Sequence, residues 1–530
     1  MTALLDLPRT YRCRKLTVAE GSLRTAILFE RLFVLSNRHF LLSVLVLAFA
    51  LSANAIDPIE TSPATLEQLQ TQLTQQAGEI EKLRQRLDDE GSCLVVRPDR
   101  ADRSCTPGMI ERVPLVTELP VEADCDSIDA SSKFKTLDVY ADYDRGFVMR
   151  PFDKTKSPYE VKLNGWIQFR HHAFSRHTET WTDNAGITRP VLNRNVFDIE
   201  RARLTFRGFA VDPRLTYFLQ LDGDTDGFHT VDFFDYWWAW QLTDRFQIQM
   251  GKRKVTASRQ WLLGARRTRF IDRPMANDFF RPDRTVGIFG VGKFAQHGHY
   301  ELMVGNGYRT ANLPEAVSDN QFTFAATSFF DPLGDFGGQI VDFDCSSNAL
   351  LRIGHSMVYS PQASNESGIP LDESDFLRLT DGTRLTQTGA LAPGVTVSEF
   401  DLWLYGIDLA WKHRGWSATS EVFIRWIESL HSDGALPVDG TIQNGCYVEG
   451  GKFLVAQTLD VNLRFSYVEG DFGNGSECAA GFNWYPLSKP TVKFSFDFTQ
   501  LDGSPLQNRT SDILVGDDGT LFRTQFQAEF

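Results

Sequence analysis

The densest group of ligand-capable side chains in this sequence runs from Lys252 to Arg284, KRKVTASRQWLLGARRTRFIDRPMANDFFRPDR. Ten residues are basic (Lys252, Arg253, Lys254, Arg259, Arg266, Arg267, Arg269, Arg273, Arg281, Arg284) and three are acidic (Asp272, Asp278, Asp283). Ten against three leaves a local charge of +7 in a protein whose formal net charge is −14. Such a cluster repels itself unless something anionic lies near it. The chemistry on offer is anion binding without covalent change, because arginine stays charged and presents a planar fork to phosphate or carboxylate oxygens. The flanking segments FQIQMG and TVGIFGVGKF both read as strands. The stretch is therefore expected to be a long inter-strand loop that folds into a barrel and forms an anion-attracting constriction. A solvated basic loop, or one lying on acidic lipid headgroups, would carry the same charge pattern.

Other chemistry is less well supported. Asp222-Gly-Asp-Thr-Asp-Gly227 matches the first half of a calcium loop, but Phe233 stands where the twelfth-position glutamate belongs, so an outer turn is expected. His171, His172 and His177 lie near a strand end with no matching carboxylate or cysteine in the local sequence, and read as a surface cluster. No G-x-S-x-G elbow is present. Trp237, Trp238 and Trp240 could stack a sugar or base, but tryptophan more often gathers at a membrane boundary. No metal, no cofactor and no enzymatic activity are expected.

The 530 residues have a mean hydropathy of −0.25 and 12% aromatic content, with 41 Phe. These values exclude a helical-bundle membrane protein and suit an aromatic-girdled barrel. Net acidity argues against nucleic-acid binding. The run Phe40–Ala50, preceded by Arg31 and Arg38 and followed by Ala53-Asn-Ala55, has the order of a secretory signal, so residues 1–55 are expected to be an export segment with an unusually long leading region. Six cysteines lie beyond it, and an exported chain can oxidise them, in pairs the sequence does not specify.

Leu66, Leu69, Leu73, Gln76, Ile80, Leu83 and Leu87 fall on heptad positions between Ser62-Pro63 and Gly91. Residues 62–91 therefore predict a short coiled-coil helix that needs partner helices, or else one amphipathic helix lying on another surface. Residues 92–157 read as a linker. From Tyr159 the period changes to two. Val161, Leu163, Ile167 and Phe169 alternate with Lys162, Asn164, Gln168 and Arg170, and two similar strands follow. Sixteen candidate strands can be placed between 159 and 530, joined by alternating long and short connections, with the connection at 331–347 long where a short one is due. This predicts an all-β fold: a sixteen-stranded antiparallel transmembrane β-barrel over 158–530, with the N-terminal coiled coil on the periplasmic side of a bacterial outer membrane.

Several segments resemble the phosphate-selective porins of the porin O and P type. They are Phe197–Gly208 (FDIERARLTFRG), Gly251–Lys254 (GKRK), Asp272-Arg273, Pro282–Gly287 (PDRTVG), Gly481–Tyr485 (GFNWY) and Gln525–Phe530 (QFQAEF). The resemblance implies a homotrimeric outer-membrane barrel with an inward-folded third outer loop, here 255–284, and arginines leading anions to a narrow site. The family has two adjacent arginines in its second strand, whereas this chain has Glu200-Arg201. Simple alternation then points Glu200 toward lipid or a neighbouring subunit, where a charge is costly unless paired. Alternation also puts Lys254 on the face of Ile248 and Met250, so a bulge or strand end must turn it inward.

The expected anion-binding or pore-lining residues are Arg201, Arg203, Arg207, Arg253, Lys254, Arg266, Arg267, Arg269, Arg273 and Arg284. The expected function is passage of small inorganic anions, with phosphate or polyphosphate implied by the resemblance. The alternative is a structural outer-membrane anchor that contacts the cell wall through its coiled coil and has little solute selectivity.

Overall fold

The computed structural model describes residues 139–152, 158–223, 231–308, 319–364 and 377–530. The predicted export segment, the coiled coil at 62–91 and most of the linker lie outside the described residues. Part of the segment expected to be a linker is described. Its last part forms a hairpin, β1 (Val139–Tyr143) and β2 (Phe147–Pro151), and Phe147–Met149 pair with the first strand of the barrel. Five-residue strands are too short to show a clear period of two.

The barrel strands in order are β3 (Tyr159–Arg176), β6 (Arg194–Ala210), β7 (Asp212–Gly223), β8 (Val231–Thr243), β9 (Phe246–Lys254), β10 (Arg284–Phe294), β11 (Gly298–Gly305), β12 (Thr323–Phe330), β13 (Leu350–Ala363), β14 (Val397–His413), β15 (Trp416–Ser432), β16 (Thr441–Val455), β17 (Leu459–Gly470), β18 (Gly473–Trp484), β19 (Val492–Asp502) and β20 (Gly519–Glu529). A small separate hairpin, β4 (Thr180–Thr182) with β5 (Thr188–Pro190), decorates the first long loop. Each barrel strand pairs antiparallel with its neighbours in sequence. The ring closes where Gly519–Glu529 of β20 pair with Trp166–Arg176 of β3. The sixteen strands are those the period of two predicts. Closure leaves no unpaired edge, as a sheet in hydrocarbon requires.

The outward side chains are apolar. Leu204, Trp238, Met250, Ile288, Leu302, Phe324, Met357, Ile407, Val422, Leu463 and Phe498 are all exposed, and they alternate with buried lumenal residues such as Thr205, Gln249, Glu421 and Arg464. Among the described residues no helix is long and apolar enough to cross a bilayer. One end of the barrel carries tight turns, for example the single residue Val211 between β6 and β7. The long connection 331–349 lies at the same end and folds inward, so that Ile340, Val341 and Phe343 pack with Phe453 and Tyr485. Cys345, Cys446 and Cys478 are free thiols.

Candidate functional site: a basic cavity beside a docked loop

Residues 255–283 leave the end of β9 and enter the lumen. They form two short helices, α1 (Arg259–Leu262) and α2 (Met275–Phe280). Ser258 caps α1 by accepting from the Trp261 amide at 3.3 Å. A loop inside a barrel must satisfy its backbone polar groups with wall side chains, and this one does. Glu421 accepts from Gln260 N (2.7 Å), Asp497 from Ile271 N (3.2 Å), Glu477 from Met275 N (2.6 Å) and Ser466 from Ala276 N (2.8 Å). In return Arg464, Asn483 and Lys493 donate to the carbonyls of Asp272, Arg269 and Thr268. Phe280 stacks on Phe423 at 5.4 Å, and Gly445 leaves room for its ring, because a Cβ there would lie 2.3 Å from it. The loop is thus fixed to the β14–β20 wall, and the inward fold implied by the resemblance is present.

Open space lies on the opposite side of the loop, against β3 and β6–β11. It is a cavity of about 380 Å³. Six cationic residues line it (Arg203, Arg207, Arg253, Lys254, Arg266, Arg284) against two carboxylates, Asp235 and Glu301. Trp166, Phe218 and Trp237 supply an aromatic wall, with Phe218 and Trp237 stacked at 5.3 Å. Lys254 is turned inward at the end of its strand, where its Nζ donates to the carbonyls of Trp261 (2.7 Å) and Leu263 (3.1 Å). Gly251, at φ +136°, lets β8 and β9 approach closely, since a Cβ would lie 2.3 Å from the Tyr236 carbonyl.

Like charges at this density need compensation. Arg203 pairs with Asp222 (2.6 Å), Arg253 with Glu301 (2.6 Å), Arg284 with Asp235 (2.9 Å) and Arg266 with Glu529. Arg207 is exposed to the cavity and makes no ion pair among the described residues. Aromatic faces do the rest. The Phe234 ring carries Arg203 at 4.1 Å and Arg284 at 3.5 Å. The buried Trp261 gathers Lys254, Arg273, Arg281 and Arg284 within 4.3–5.4 Å of its centroid, each contact contributing roughly 0.5–2 kcal/mol.

Six of the ten expected residues therefore meet at one cavity, and four do not. Arg269 is buried and donates to Asn462 (3.0 Å) and Ser417 (2.9 Å). Arg273 is buried on the carbonyls of Gln260 and Leu263. Arg267 is exposed and reaches the Gly338 carbonyl at 3.3 Å. Arg201 is buried against Asp272 at 2.8 Å. Arg201, Arg269 and Arg273 fix the loop, Arg267 reaches only the 331–349 connection, and none of the four lines the cavity.

Glu200 corrects the alternation argument. The β3–β6 register runs Gln168↔Arg201 and then Phe169↔Ile199, so Glu200 is the extra residue of a β-bulge. Both Glu200 and Arg201 point inward, each 2% exposed. Glu200 lies 3.4 Å from Arg170 and 3.5 Å from Arg201, and Asp272 lies 3.2 Å from Arg170. Burial alone would raise the Asp272 carboxyl, but Arg201, Arg170 and Arg273 hold it well below the usual carboxylate range.

Two further expectations change. The tryptophans divide: Trp238 and Trp240 face outward at 48% and 38% exposure, as a membrane belt would, while Trp237 lines the cavity. The histidines divide too. His171 lies 4.5 Å from the Phe197 ring and His177 is exposed, but His172 points inward and meets two carboxylates distant in sequence, Asp198 and Asp512. The candidate calcium loop lies largely outside the described residues. Sequence reading missed Arg170, Arg464, Arg523, Phe234 and Trp261. Arg170, Arg464 and Arg523 each stood at an inward position of an alternating strand, which was their only signal.

The sequence matches no family model and no curated protein. Several solved structures are similar in shape. An anion-selective porin from Comamonas acidovorans aligns at 11% identity over 70% of this chain and 100% of its own, with a TM-score of 0.46. The outer membrane channel DcaP of Acinetobacter baumannii aligns at 9% identity over 70% and 97%, with a TM-score of 0.43. OmpF of Salmonella typhi aligns at 10% identity over 74% and 100%, with a TM-score of 0.44. At such scores these likenesses carry no weight beyond the barrel, which the strand pairing establishes by itself.

Proposed function

We propose that the protein is a bacterial outer-membrane porin that passes small anions through the basic cavity beside the docked loop. The observation that carries this reading is the cavity's lining of six cations against two carboxylates. A passive pore performs no covalent chemistry. It lowers the barrier to an ion by replacing lost hydration with fixed donors. Most of these cations already hold a carboxylate, which keeps affinity modest, as conduction requires. Phosphate and polyphosphate enter through the family resemblance. Arg207 and Lys254 are the lining cations with no carboxylate partner among the described residues, and they are the groups with which such an anion would pair. The homotrimer rests on the resemblance alone and is tested by the mass of the detergent-solubilised particle.

The functional test is single-channel conductance of the purified barrel in a planar bilayer, with a salt gradient to read ion selectivity and phosphate added as a blocker of chloride current. Anion selectivity with saturable phosphate block supports both readings. Anion selectivity without block retains the anion pore and removes phosphate. Cation selectivity, or absence of current, removes the pore reading.

A further inference from the structure

The inward side of β3 and β6 holds a second constellation, apart from the cavity. His172 of β3, Asp198 of β6 and Asp512 of the 503–518 loop bring one ligand atom each to within 4.8 Å of one another. His172 Nδ1 stands 2.9 Å from Asp512 Oδ1 and 3.6 Å from Asp198 Oδ2. The histidine is only 8% exposed, yet its Nδ1 makes no aligned hydrogen bond. A nitrogen set within ion-pair reach of two carboxylate oxygens can hold a proton between them or, in its neutral form, share a metal ion with them.

We infer that His172, Asp198 and Asp512 bind one divalent transition-metal ion of the zinc class. One imidazole nitrogen with two carboxylate oxygens suits zinc, nickel or copper, whereas calcium and magnesium prefer all-oxygen sets. Two carboxylates balance one dication in charge, and the Arg170 guanidinium beside Asp512 stands over as one further positive charge. The surroundings orient the ligands. Arg170 donates to Asp512 Oδ2 at 3.0 Å, which leaves Oδ1 on the histidine side. Arg194 donates to the Asp512 carbonyl at 3.0 Å, and Asp512 itself sits in the left-handed region at φ 60°. The Arg170 charge makes the site weaker than a closed four-ligand centre. The ion would tie the last outer loop to the first two strands of the barrel.

The test uses the full-length barrel in detergent, stripped with a chelator and with its thiols alkylated so that cysteine cannot compete. Zinc chloride is titrated calorimetrically, and cobalt(II) is followed by its visible absorption. Wild type is expected to take up one equivalent per chain. His172→Asn and Asp512→Asn should each weaken uptake at least tenfold, while exposed His177→Asn leaves it unchanged. Asp198→Asn is the second probe should either of the first two lose the heat-modifiable band of a folded barrel. Absence of saturable uptake in wild type, or uptake that survives both His172→Asn and Asp198→Asn, overturns the assignment.

Discussion

The two halves of the lumen are built on opposite principles. Along β14–β20, buried acids (Asp408, Glu421, Glu449, Glu477, Asp497) meet the loop's cations and amides. Along β6–β11 the wall is itself basic, and the loop approaches without filling the space. The same +7 segment is therefore packed against fixed partners on one flank, and on the other its paired cations still border open space. Net charge of a segment does not say which of its cations are available. The distribution of acids on the facing wall does.

The largest effect should come from the fixed half. Arg464 bridges Glu449 (2.9 Å) and Glu477 (3.1 Å) while donating to the Asp272 carbonyl at 2.7 Å. Arg464→Leu leaves two buried carboxylates without their cation, which costs about 3–5 kcal/mol. We expect a lower unfolding midpoint in urea and a noisier, larger conductance as the loop detaches. An unchanged midpoint would show that the loop does not depend on this network.

Next comes the open half. Arg207→Glu reverses a charge on the cavity with no ion pair to break among the described residues. The reversal potential in a salt gradient should move toward cation preference with unfolding unaffected. Raising salt to 1 M, where the screening length falls to about 3 Å, should similarly shrink wild-type selectivity while leaving stability alone.

A pH series sharpens the contrast. The Asp272 carboxyl is depressed in the folded state, so its contribution to stability is present above the unfolded value of about 3.9 and disappears only as pH falls through the still lower folded value. Titration from pH 7 to 5 should leave the unfolding midpoint of wild type and Asp272→Asn separated by a constant interval, and that interval should narrow only below about pH 4. The smallest effect is expected at Arg267, exposed and outside the cavity. Arg267→Ala should leave selectivity within error, and a large shift would mean that ions pass on its side of the loop.

The sixteen strands were legible because lipid on one side and water on the other enforce a period of two over long segments. The inward loop was legible from charge. Which of its arginines face the cavity was not, because acids that draw others of them away from it, such as Glu449 beside Arg269 and Asp408 beside Arg259, lie 180 and 149 residues away and carry only an inward position as their signal. The Glu200 bulge was hidden for a related reason. One extra residue shifts inside and outside by one, and nothing in FDIERARL marks the step. His172 met its carboxylates in the same way, through ring closure and a folded-in loop.

The partners of the 255–283 loop begin at Arg170 in the first barrel strand and end at Glu529 in the last. Its place is therefore not complete until the seam between β20 and β3 has formed, and contacts of such separation are slow to assemble. Docking of the loop is expected to be completed together with, or after, closure of that seam. Refolding into detergent micelles should accordingly show two phases: strand signal first, then protection of the Trp261 side chain from quencher.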